Sequence, residues 1–131
     1  MRTKKIAIVV AVITAPIIGL QGCYKVATVI PDNKVEVTEP VSFAKDIIPI
    51  FNTKCNMSGC HNQGGQIPNL SVTVSYNSLL NGNYIDKSSP ANSLLYLKMS
   101  GKKGSPMPLT GSNIEYNALV LAWIQQGAKD N

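Results

Sequence analysis

The chain has 131 residues, with 12 Lys and Arg against 7 Asp and Glu for a formal charge of +5, and it contains 3 Cys, 4 Met and a single His. That length leaves room for one domain. Three basic residues, Arg2, Lys4 and Lys5, stand at the N-terminus; beyond them nine basic residues face seven acidic ones, with no arginine and no basic block, which argues against a nucleic-acid partner.

The first element is a targeting segment over 1–22. Arg2, Lys4 and Lys5 make a positive start, Ile6 to Leu20 is almost wholly apolar, and small residues precede Cys23. An apolar run of 15 residues, interrupted by Pro16 and Gly19, is shorter than the roughly 20 that a membrane-spanning helix needs. The run Leu20-Gln21-Gly22-Cys23 resembles the lipobox of bacterial lipoproteins, which implies lipidation of Cys23 and an extracytoplasmic, membrane-anchored location; a plain signal peptide is the alternative. Residues 23–40, with Pro31, Asp32, Asn33 and Pro40, read as a tether.

From Val41 the pattern is helical pieces joined by Gly, Pro, Asn and Ser. Phe43, Ile47, Ile50 and Phe51 recur at helical spacing, and Pro49 is tolerable in a helix that starts near Asp46. Between Gly64 and Asn83 the spacing predicts an extended loop leading into a short helix. A further helix is predicted from Pro90, with Ser89 as its N-cap and Gly101 as its stop. The last runs from a capping box of Ser112 and Glu115 through Leu119, Trp123 and Ile124 to Gly127. The expected fold class is mainly α, with three or four short helices, long loops and a protein-only core small enough to need help from a buried group.

Chemistry concentrates in Cys55-Asn56-Met57-Ser58-Gly59-Cys60-His61. Covalent haem attachment needs two thiols for two vinyl groups and an imidazole beside the second thiol, so that its nitrogen reaches the iron. Cys55 and Cys60 supply the thiols and His61 the imidazole. The spacer here is four residues where two is usual, and Ser58 and Gly59 give it local freedom. A distal ligand could come from Met99, at a helical position among leucines, or from Met107 in Gly104-Ser105-Pro106-Met107-Pro108; the prolines favour Met107, because they hold an extended loop that hands the thioether inward.

From Val41 to Ala128 the chain resembles a class I cytochrome c domain. The matching residues are Phe43, Asp46, Ile47, Pro49 and Ile50 leading into Cys55, Cys60 and His61, then Met107-Pro108, then Leu119, Trp123 and Ile124. The resemblance implies one covalently attached haem c in residues 41–131, with His61 proximal, Met107 distal, and the first and last helices crossing over the haem edge. It implies single-electron transfer between redox proteins or within a respiratory complex, with no small-molecule substrate and no enzymatic bond chemistry.

Other readings of the same residues stand beside it. Cys55 and Cys60 could close a disulfide in a lipoprotein binding or structural module. Zinc could use Cys55, Cys60 and His61 with a carboxylate such as Asp46. A haem enzyme or gas sensor would follow if the distal methionine were labile. Lys54, Lys98, Lys102 and Lys103 are either a ring that steers an acidic partner or solvated lysines. Trp123 and Tyr84 are candidates to pack on haem or hydrogen-bond a propionate, with ordinary core burial the stronger expectation for Trp123.

Overall fold

Ser42 opens the first helical segment. Its backbone is extended (φ −93°, ψ 132°), its hydroxyl accepts from Lys45 N at 3.2 Å, and its own N–H donates to Asp46 Oδ2 at 2.7 Å. This reciprocal cap starts the segment three residues before Asp46, earlier than expected. Pro49 explains the form it takes. A proline lacks an N–H and its ring crowds the carbonyl four residues back. The chain accommodates it with a wide π-helical turn, Phe43–Ile47, that passes directly into α1, Ile48–Lys54, leaving Pro49 in the first turn of α1. The computed structural model describes residues 35–131. The expected signal segment 1–22, Cys23 and the tether as far as residue 34 lie outside them.

All regular structure among the described residues is helical, in four α-helices with a π-turn and a 3₁₀ turn. None of these helices is long and apolar enough to cross a membrane. The expected loop followed by a short helix is present, the latter as α2, Ser75–Asn81. The helix expected from Pro90 is broken in two, a 3₁₀ turn Pro90–Asn92 and α3, Leu94–Met99. Ser93 makes the break with extended backbone (φ −55°, ψ 129°). Its buried hydroxyl accepts from Asp86 N at 2.9 Å, a side-chain bond that competes with helix continuation, while Ser89 makes no side-chain cap and instead takes Asn92 Nδ2. Gly101, at φ +72°, ends α3 as expected.

The last helix, α4, is Ile114–Gln125, and its cap is Asn113 rather than Ser112. Asn113 Oδ1 accepts from Tyr116 N at 2.9 Å, a contribution of about 1 kcal/mol. Ser112 instead accepts from Asn117 Nδ2 at 2.7 Å.

Trp123 of α4 packs on Phe43 with ring centroids 5.0 Å apart, and Tyr76 of α2 meets Phe43 edge-on at 5.4 Å. Phe51, Ile47, Leu79 and Val120 complete a fully buried centre. Chain ends reinforce this junction. Gln126 accepts from Val41 N and donates to Glu39 O, while Asn131 accepts from Phe43 N and Ala44 N and from the Ser42 hydroxyl. First-turn N–H groups that a helix cannot satisfy internally are thus served by the far end of the chain.

Candidate cofactor site

α1 ends at Cys55, whose N–H closes on Phe51 O. The four-residue spacer then folds back on itself: Cys60 N donates to Met57 O at 2.9 Å and His61 N to Cys55 O at 3.0 Å. Gly59 makes the reversal at φ +78°, a conformation that L side chains resist. Gly65 is needed for a different reason, since a Cβ there would overlap the Cys60 carbonyl oxygen.

The imidazole is oriented by a contact that residue types do not announce. His61 Nδ1 lies 3.0 Å from the carbonyl oxygen of buried Pro68. A carbonyl only accepts, so Nδ1 carries a proton, and in the neutral imidazole Nε2 is the nitrogen that keeps its lone pair. Leu70 N, donating to His61 O at 2.7 Å, fixes the backbone as well. Metal-ligating histidines are characteristically held in this way.

Two cavities meet at the motif. One, of about 160 Å³, is walled mainly by Ile67, Pro68, Leu70, Leu94, Leu95 and Met99. The other, of about 280 Å³, takes in Met57, Cys60, Gln66 and Leu109. Cys55, His61 and Met107 line both, so the two are lobes of one cleft that join at three residues singled out from the sequence.

α3 delivers Met107. Its last carbonyls have no partner inside so short a helix, and the following loop supplies them: Lys103 N donates to Leu97 O at 3.1 Å and Met107 N to Lys98 O at 2.9 Å. The prolines flanking Met107 are therefore only part of what places it. Met99, 3% exposed, lines the smaller lobe, and Met57, 55% exposed, lines the larger.

Trp123 stands apart from the cleft, as the expectation of ordinary core burial had it. It is a wall of neither lobe, its ring packs on Phe43, and its one N–H donates to Lys129 O at 2.8 Å, which leaves nothing for a propionate. Of the four lysines, Lys98 lines the smaller lobe and Lys54 the larger. Lys102 lies over the Tyr96 ring, 5.0 Å from its centroid, and neither it nor Lys103 is a wall of the cleft.

Cys55 is buried and Cys60 exposed, and both are free thiols. Burial first, and Cys60 second, push the Cys55 thiol up to about 11 from 9.0. The folded thiol thus holds its proton where an unfolded one would lose it. Its contribution to stability is complete below pH 9 and is lost as pH rises towards about 11. In haem-free chain at pH 8, iodoacetamide is expected to modify Cys60 at least tenfold faster than Cys55 by peptide mass mapping, with Cys55 catching up as the pH approaches its own value. Equal rates at pH 8 would contradict the burial. Among the described residues no group of three His, Cys, Asp or Glu is arranged to hold a bare metal ion, and Asp46, the carboxylate considered for zinc, is bonded to Ser42 N at the opposite end of the helical segment from Cys55.

No family model matches the chain, nor does any curated protein or solved structure.

Proposed function

We propose that residues 41–131 form a single-haem c-type cytochrome, related to the class I cytochromes c, and that the whole chain is a lipoprotein anchored through Cys23 on the extracytoplasmic side of a membrane. Cys55 and Cys60 hold the haem through thioethers, His61 is the proximal ligand and Met107 the distal one. The observation that carries this reading is the His61–Pro68 hydrogen bond, which leaves Nε2 free to ligate at a cleft whose shared walls are His61, Cys55 and Met107. The packing of the first and last helices through Phe43 and Trp123 supports the fold relationship.

When bound there, haem supplies a one-electron iron couple. The chain's own residues do the rest. Pro68 O keeps His61 in one tautomer through both oxidation states, and the backbone bond from Met107 to Lys98 holds a soft thioether donor in place, a ligand type that favours the reduced metal. Leu70, Leu94 and Leu95 give the smaller lobe an apolar wall. His61 is the one histidine of the sequence, so with it on iron no second imidazole is left as a base, and the partners in this reading are redox proteins or a respiratory complex.

The test is purification of the chain from membranes followed by extraction with acidified organic solvent. Haem that stays with the polypeptide is expected. Protein without haem absorption, or haem that leaves with the solvent, would overturn the reading in favour of a disulfide-closed module. Ready uptake of carbon monoxide by the reduced protein would instead point to a sensor or haem enzyme with a labile Met107.

A further inference from the structure

The cleft has two chemically different ends. Cys60 and Met57 line only the larger lobe, and Tyr84 and Lys98 only the smaller. Haem has a matching asymmetry, because its two vinyl groups sit on neighbouring pyrroles and its two propionates on the remaining pair. Attachment at Cys55 and Cys60 therefore directs the propionate edge away from Cys60.

Resting on the cytochrome reading, we propose that Lys98 and Tyr84 are the carboxylate-binding pair of this cleft and receive the haem propionates. Carboxylates brought into a lobe walled by Ile67, Leu70, Leu94 and Leu95 need donors, since burying an anion unpaired is costly. Lys54, Gln66 and Thr110 stand at the other lobe, and other candidate donors are absent or committed among the described residues. Arg2 is the sole arginine of the chain, the Trp123 N–H is bonded to Lys129 O, and the Tyr76 hydroxyl donates to Ala128 O. Among the described residues, Lys98 is the one lysine in the walls of this lobe, and Tyr84 brings the one hydroxyl.

The Lys98 ammonium lies beside Gly104, where an added Cβ would be in ordinary contact with it at 3.4 Å. The Lys98 carbonyl meanwhile accepts from Met107 N. One residue thus touches the distal-ligand loop through its backbone and the carboxylate end through its side chain. Substituting the side chain leaves the backbone bond in place, which makes Lys98→Met a test of the ammonium alone.

The experiment uses purified holoprotein and reads the reduction potential together with propionate bands in redox-difference infrared spectra. Lys98→Met is expected to lower the equilibrium constant for reduction about tenfold, about 59 mV for one electron, because an uncompensated carboxylate favours iron(III). The propionate bands should shift with it, and Lys98→Arg should restore both. Tyr84→Phe should shift the bands with a smaller change in potential, Lys103→Met, which is outside the cleft, should change neither, and Lys54→Met, at the other lobe, should leave the bands in place. Unchanged bands in Lys98→Met, or in Tyr84→Phe should the lysine variant fail to accumulate, would overturn the assignment, as would finding the shifts in Lys54→Met instead. A wild-type chain without covalent haem would mark failure of the cytochrome reading itself, whereas haem-loaded variants with unmoved bands would refute only this pair.

Discussion

His61→Ala is expected to lose the low-spin spectrum of the holoprotein by more than about 100-fold. The estimate follows from the effect of disturbing only the outer partner of a metal-bound histidine, which costs about 10–100-fold in affinity or activity. Removing the ligand itself should cost more, and the chain has no second histidine to take its place. Met107→Ala makes the informative comparison. There the haem should remain attached through Cys55 and Cys60, with its proximal ligand still held by Pro68, while the sixth position opens to carbon monoxide or added imidazole. Absorption spectra of the two purified variants give the answer. A His61→Ala protein with the wild-type spectrum would remove the basis for the site, and a Met107→Ala protein that still excluded carbon monoxide would transfer the distal role to Met99, which lines the smaller lobe.

Trp123→Ala should be the most damaging core substitution, at about 3–5 kcal/mol. The side chain is 1% exposed, stacks on Phe43 and ties down Lys129 through its N–H. Small domains have about 5–15 kcal/mol in total, and each kcal/mol shifts the melting temperature of one this size by about 4–8 °C, so a fall of at least about 12 °C is expected in circular dichroism melts. Trp123→Phe keeps an aromatic ring against Phe43 and loses the indole hydrogen bond, a smaller loss of about 1 kcal/mol plus some packing. Since Trp123 lines neither lobe, the phenylalanine variant should keep the wild-type haem spectrum. A changed spectrum with an unchanged melt would return Trp123 to the cofactor.

Local punctuation was legible in the sequence. Gly101 and Gly127 stop α3 and α4 because a residue at positive φ ends a helix whatever surrounds it, and both are at positive φ here. The helical nature of the chain, and the meeting of Cys55 and His61 at one cleft, likewise follow from short-range spacing. The missed features depend on partners that spacing does not reveal. The segment begins at Phe43 through a cap shared by Ser42 and Asp46 and an acceptor on Asn131, 88 residues away. Ser93 breaks a helix because its hydroxyl has a use at Asp86. Ser112 and Asn113 are both competent caps, and the register of α4 selects the second. Pro68 could not be found from residue type, because what it contributes is a backbone carbonyl and every residue has one.

The hydrogen bonds from Gln126 and Asn131 to residues 39–44 have a mechanical meaning for an anchored chain. They grip the domain where a tether from Cys23 would enter it, while Cys55 stands about 18 Å along the helical axis at 1.5 Å per residue. In a chain held through Cys23, as proposed, tension along residues 35–40 would load these hydrogen bonds before it reached Cys55.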